Sequence, residues 1–219
     1  MNRSPWNLLI WFGLALVVKD VGAANGKYRT LDDYVSSIPQ ASIEISAQGD
    51  LNRDNLDDVA LSLALPHDGE DKLRRLVVLI RSVDGSYSEA ARSGTDDIQP
   101  TNGSSRHETE LWIENGSLFY SYKNFWRGCG NRTRYQFGWH ESGLRLIGAT
   151  RTDGSNEGDA PRLVKNDVNL ATGVEQLLVN DKLIKTKKLS RRPLYLNDFP
   201  YSDKALFLIR PVLTHCEEK

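Results

Sequence analysis

Short turn signals recur along this chain at the spacing of single β-strands, and that rhythm limits the fold more than any other feature. Asp84-Gly85, Asn115-Gly116 and Asn180-Asp181 each divide two apolar or alternating runs. Residue pairs of this kind supply the positive φ that a tight hairpin needs. Before the first turn, Val59 to Leu65 puts Val59, Leu61, Leu63 and Leu65 on one face, with Ala and Ser on the other. Arg75 to Val83 is apolar on both faces, as a central strand is. Around the second turn, Glu110 to Glu114 and Leu118 to Tyr122 form a pair. Thr133 to Trp139 and Leu144 to Ala149 form another across Glu141-Ser142-Gly143. Leu170 to Gly173 leads into Val174 to Val179, and Asn180-Asp181 into Leu183 to Lys187. Two-strand units in this number predict an antiparallel all-β domain. Helix is expected only at Leu31 to Ile38, where Thr30 and Asp33 form a capped start and Pro39 a stop.

The domain itself begins after residue 24. Arg3 precedes an eleven-residue apolar run, Leu8 to Val18, and Val21-Gly22-Ala23-Ala24 offers the small residues of a cleavage site. The run is shorter than the roughly 20 residues that a membrane span needs, so residues 1–24 read as a secretory signal peptide. An uncleaved anchor is the other reading. No second apolar stretch approaches spanning length. The expectation is a mature chain, 25–219, that is periplasmic or secreted, with no membrane span and a single β domain. With 39% apolar residues it is too hydrophobic to be disordered, and two cysteines are too few for a disulfide-dense scaffold. A net charge of −1 argues against a dedicated nucleic-acid binder.

One segment carries a definite chemistry. Residues 50–58 read Asp-Leu-Asn-Arg-Asp-Asn-Leu-Asp-Asp, with side-chain oxygens at Asp50, Asn52, Asp54 and Asp58 and a backbone carbonyl available at Leu56. Alternating hard oxygens on a tightly curved loop suit Ca²⁺ better than Zn²⁺ or Mg²⁺. Asn55 stands where such loops usually have Gly, and Asn tolerates the left-handed backbone that the position requires. The alternative is a solvated Asn/Asp turn. Against it, four carboxylates in nine residues repel one another unless a cation or water separates them.

The stretch Gln48 to Leu65 (QGDLNRDNLDDVALSLAL) resembles the FG-GAP or VCBS-type repeat, whose D-x-N-x-D-G-x-x-D loop precedes a strand. The resemblance covers roughly residues 43–92 and implies a loop that holds calcium between strands of a β-propeller blade. A single copy of the loop is too little for a full seven-bladed propeller. It implies instead a small β-propeller-like or curved-sheet domain. The segments RYQFGWHESGLRLIGA and DVNLATGVEQ are similar to the closing part of small exported bacterial proteins that carry one such loop. Some proteins of that kind inhibit lysozyme-like peptidoglycan hydrolases and act as immunity proteins. That resemblance implies a non-enzymatic domain whose partner is a protein, a hydrolase or wall-degrading toxin, engaged by a rigid loop placed in its cleft. A role in β-lactam tolerance, or an envelope glycan-binding domain or enzyme, are the alternatives.

Cys129 and Cys216 are the only cysteines. An even count in an oxidising compartment points to a disulfide, worth about 4 kcal/mol if it closes so long a span, with two free thiols as the alternative. The bridge would order the segment Trp126 to Arg132, read here as a protruding loop because of Gly128 and Gly130. Trp126, Arg127, Arg132 and Arg134, with Tyr87 at the Asp84 hairpin, are the candidate partner-binding residues, being aromatic and guanidinium groups of the hot-spot type. Tyr120, Tyr122, Tyr135, Phe137 and Trp139 alternate as a core-facing strand set does. The basic run Lys182 to Arg192 fits a solvated edge strand, where lysines discourage edge-to-edge pairing. An acidic partner is the other use for it. The histidines sit in predicted turns, loops or the tail, with no H-E-x-x-H or G-x-S-x-G arrangement, so no enzymatic activity is expected.

Overall fold

A computed structural model describes residues 26–66, 72–98, 105–126, 129–141, 143–155, 162–190 and 193–199. The expected signal peptide, Arg127 and Cys216 lie outside the described residues. The described chain is all-β, as the turn rhythm predicts, and its strands form two antiparallel sheets that do not close into a barrel. The first sheet contains β1 (Lys27–Tyr28), β2 (Ser42–Gly49), β3 (Asp58–Pro66), β4 (Lys72–Arg81), β5 (Tyr87–Arg92) and β6 (Asp96–Ile98). Its order is β1-β5-β4-β3-β2, with β6 also on β4. The second contains β7 (Ser105–Glu114), β8 (Ser117–Trp126), β9 (Cys129–His140), β10 (Gly143–Ser155), β11 (Arg162–Asn169), β12 (Val174–Val179) and β13 (Lys182–Lys188). These seven run as an uninterrupted meander, β13-β12-β11-β10-β9-β8-β7.

Turn chemistry explains the meander. Asn115 and Gly116 both take positive φ (52° and 71°), as do Asn180 and Asp181 (47° and 61°). Two consecutive left-handed residues match the twist of the strands they join. Strands differ from the expected spans mainly at their ends. β6 and the start of β7 lie where no strand is expected, and β10 runs past Ala149 to Ser155. The single helix, α1 (Leu31–Ser36), starts with the expected capping box: Thr30 Oγ1 accepts from Asp33 N, and Asp33 accepts from Thr30 N, each at 3.0 Å.

The first sheet is covered on both faces. On one, Val59, Leu61, Leu63, Val77 and Leu79 pack beneath α1, whose Tyr34 is 2% exposed and donates its hydroxyl to Glu89 at 2.7 Å. On the other, Ala60, Leu76, Val78 and Ala91 meet Leu111, Leu118, Tyr120, Tyr135, Phe137 and Leu146 of the second sheet. Residues 193–199 complete this main core. Leu194 O accepts from Leu146 N at 2.8 Å, and buried Phe199 sets its ring edge-on to Tyr135 and Phe137. The outer face of the second sheet has no such cover among the described residues. β13 is exposed along its whole length and forms one edge, as the lysine-rich run predicts. Among the described residues no helix is long and apolar enough to cross a membrane.

Candidate functional site

The loop between β2 and β3 sits where the two sheets meet. Leu51 is fully buried in the main core, while the Arg53 side chain lies over Gly116, at the turn between β7 and β8. Within the loop, the polar side chains fold back on the backbone. Asp54 N donates to Asp50 Oδ1 and to Asn52 Oδ1, both at 3.1 Å. Asn55 N reaches Asp50 Oδ2 at 3.0 Å, and Leu56 N reaches Asp54 Oδ1 at 2.8 Å. Asn52 Nδ2 bridges to Asp54 Oδ2 at 2.9 Å. Arg53 and Asn55 adopt the left-handed backbone, with φ of 65° and 67°. So Asn55 does what the missing glycine would have done.

Asp58 differs from its neighbours. It is wholly buried, and its two oxygens accept from Leu51 N at 2.9 Å and from Arg81 N at 3.0 Å, tying the loop to the end of β4. Burial pushes its carboxyl above the usual aspartate range, against the backbone N–H bonds from Arg81, Leu51 and Asn52; the charge of Asp54 adds to the rise. The donor set therefore fits Ca²⁺ only in part. Asp50, Asn52 and Asp54 are brought together as hard oxygens, with Leu56 following in the same turn. Asp58 is occupied as a structural acceptor. Among the described residues there is no group of three or more His, Cys, Asp or Glu side chains arranged to hold a metal ion.

Of the expected loop at 126–132, Trp126 ends β8 and Cys129 to Arg132 open β9, with Arg127 and Gly128 outside the described residues. Trp126 pairs with Cys129 across the β8–β9 register, so only two residues separate the strands, and Arg132 and Arg134 lie within β9. The physical reason is Gly130. A Cβ there would lie 3.0 Å from Phe125 Cδ1, so this glycine makes room for the ring of its cross-strand neighbour and does not mark a loop. Cys129 is disulfide-bonded, and the other cysteine of the sequence, Cys216, lies outside the described residues. Tyr87 lies in the first sheet, not the second. It belongs to β5, pairs with Tyr28, and packs half-buried on the cluster beneath α1. Of the expected aromatic core set, Tyr120, Tyr135 and Phe137 are buried, Tyr122 is half-buried, and Trp139 is exposed at the end of β9.

The outer face of the second sheet gathers what the sequence leaves scattered. One cross-strand row reads Phe125, Gly130, Gly154, Leu163 over β8 to β11. Phe125 leans over Gly130 and Leu163 leans toward Gly154, and the two apolar side chains are 44% and 40% exposed. The next row holds Lys123, Arg132, Thr152 and Lys165, followed by Leu178 and Leu183 on β12 and β13. Arg132 is fixed there. Its Nη2 donates to Glu110 Oε2 at 2.7 Å and its Nε to Ser121 Oγ at 3.0 Å, while Lys123 pairs with the other oxygen of Glu110. The hydrogen bond from Lys123, helped by the charge of Arg132, holds the Glu110 carboxyl below its ordinary range. Arg134, one row on, is exposed, its side chain makes no hydrogen bond or ion pair among the described residues, and it lines a cavity of about 410 Å³. Sequence reading finds the arginines; it misses Phe125 and Leu163, because their common row exists only once four strands are in register. Comparison with known proteins gives no matching family model, no matching curated protein and no matching solved structure.

Proposed function

We propose that the mature chain is an exported, non-enzymatic binding domain that docks a protein partner, an inhibitor or immunity protein directed at a lysozyme-like peptidoglycan hydrolase. The observation that carries this reading is the row Phe125-Gly130-Gly154-Leu163, with Leu183 56% exposed one row away. It forms a flat apolar strip, rimmed by Arg132 and Lys165, on a sheet whose inner face is rigidly packed. Apolar centres with cationic rims are what protein partners select, and the preordered backbone lowers the entropy cost of docking. A hydrolase of glycosidic bonds carries paired carboxylates in its cleft, so a cationic rim has a complementary target there. The contact in this reading is a sheet face and not an inserted loop. The disulfide at Cys129 stiffens the start of β9, next to Gly130. Ca²⁺ is the proposed ion of the 50–58 loop, on Asp50, Asn52, Asp54 and the Leu56 carbonyl, with a structural role at the joint of the sheets.

The test is an inhibition assay against purified lysozyme-type hydrolases on a cell-wall suspension, with calcium present and the disulfide intact. Inhibition at stoichiometric concentrations is expected, and Phe125→Ser combined with Leu163→Ser weakens it by at least about tenfold, as loss of two buried apolar contacts implies. Full hydrolase activity at every concentration, and no hydrolase retained from periplasmic extract, removes the proposal.

A further inference from the structure

At the other end of the same outer face, about 20 Å along β9 from Phe125 by the rise of an extended strand, the geometry points to a second site, one that binds an oligosaccharide. The cavity of about 410 Å³ lies over Gly148 and is lined by Arg134, Gln136, Thr150, Asp167 and Asn169. Its volume falls within the range of small-ligand sites, about 300–1,000 Å³. Gly148 leaves the floor open. A Cβ built there meets nothing closer than Gln136 Oε1 and Val168 O, both at 3.6 Å.

The polar groups around this floor are partly committed, and what remains defines the ligand. Gln136 donates its amide to Ser117 Oγ at 3.3 Å, which leaves Oε1 as an acceptor over the glycine. Asn169 Oδ1 accepts from Thr172 N at 2.9 Å, which leaves its NH₂ as a donor. Asp167 Oδ1 accepts from Thr150 Oγ1 at 2.7 Å, which leaves Oδ2, and Arg134 keeps its whole donor fork among the described residues. The open positions are thus a balanced set of donors and acceptors, with one cation offset by one anion. A free phosphate or a carboxylate would need an excess of donors. Hydroxyl groups, each able to donate and accept, satisfy both kinds, and planar amide, guanidinium and carboxylate groups can span two neighbouring hydroxyls.

A second observation points the same way. In the cross-strand row of Gln136, Gly148 and Asn169, the next residues outward are Phe119 and Trp112, half-exposed and stacked in parallel at 4.9 Å and 8°. A saccharide chain presents apolar C–H faces between its hydroxyl edges, and a ridge of aromatic rings beside a polar cleft matches that alternation. None of these residues belongs to the Phe125–Leu163 strip, so this site stands or falls separately from the hydrolase-docking proposal.

The experiment is an NMR titration of the full mature protein with three tetrasaccharides, chitotetraose, cellotetraose and maltotetraose, and with inorganic phosphate. At least one tetrasaccharide is expected to shift the Gly148 amide and the Asn169 side-chain amide at concentrations up to about 10 mM. Gly148→Met fills the cavity without removing a polar group, and Asp167→Ala removes an acceptor at the surface. Each is expected to weaken binding by about tenfold with an unchanged thermal midpoint. Absence of shifts with all three sugars, binding of phosphate in their place, or undiminished affinity in both variants overturns the assignment. Because hydrolase inhibition is read with Phe125→Ser and Leu163→Ser, loss of one property leaves the other measurable.

Discussion

Strands β3 and β9 are both central in their sheets, yet they differ along almost every residue. From Asp58 to Leu65, β3 is buried without a break, whereas β9 alternates buried Thr133, Tyr135 and Phe137 with exposed Arg132 and Arg134. The cause is cover. The first sheet is enclosed between α1 and the main core, so both faces of its central strands are apolar. Among the described residues the second sheet packs on one face only, and its other face holds polar and aromatic groups that the core does not use. What this teaches is a division of labour: the first sheet is built for stability, and the outer face of the second is where the proposed recognition would lie.

The division is broken most sharply by truncation. Leu61→Ala, at a site with no exposure between β3's neighbours and α1, is expected to cost about 2–5 kcal/mol in urea denaturation. Thr152→Ala, on the outer face of β10, is expected to stay within about 0.5 kcal/mol. Equal costs at the two sites would abolish the distinction. The 50–58 loop joins the two regions, and the ion proposed for it would belong to the stable one. If Ca²⁺ is bound at about a hundred times its dissociation constant, it contributes roughly 2.7 kcal/mol. A chelator should then lower the thermal midpoint, and Asp54→Ala should abolish that response. An unchanged melting curve, with no metal found by elemental analysis, would remove the ion and leave a loop held by its own Asn and Asp hydrogen bonds.

How much of this was legible beforehand depends on distance along the chain. Local signals were readable: the Asn115-Gly116 and Asn180-Asp181 turns, the Thr30–Asp33 box, the lysine-rich edge, and Asn55 as a left-handed stand-in for glycine all rest on neighbouring residues. The WRGCGNR segment misled because glycine has two uses, conformational freedom and absence of a side chain. At Gly130 the second use decides, and only the position of Phe125 reveals it. The role of Asp58 was hidden for a similar reason. Its partner Arg81 N lies 23 residues away, and a spacing rule for ligands cannot see an acceptor committed to another strand. The strip and the cavity both depend on four-strand register, which bulges in the second sheet, such as that between Leu146 and Gly148, shift in ways that pattern counting does not follow.

The finest difference between the two regions is in how their carboxylates respond to acid. Asp58, in the enclosed sheet, has its carboxyl raised by burial. Its contribution to stability is whole below the ordinary aspartate value of about 3.9, where the acid is neutral folded or unfolded, and is lost as pH rises through its higher folded value. Glu110, on the open face, is lowered by the hydrogen bond from Lys123 and the charge of Arg132. Its contribution is present above the ordinary glutamate value of about 4.3 and is lost as pH falls through its lower folded value. The two therefore give stability slopes of opposite sign near pH 4. Side-chain carbon NMR across that range should show Asp58 titrating above the aspartate norm and Glu110 below the glutamate norm. Lys123→Gln should return Glu110 toward its norm while leaving Asp58 in place, because the two groups share no partner. If both carboxylates move together in that variant, the faces of the molecule are electrostatically coupled, and the separation between a structural sheet and a recognition sheet does not hold at the level of charge.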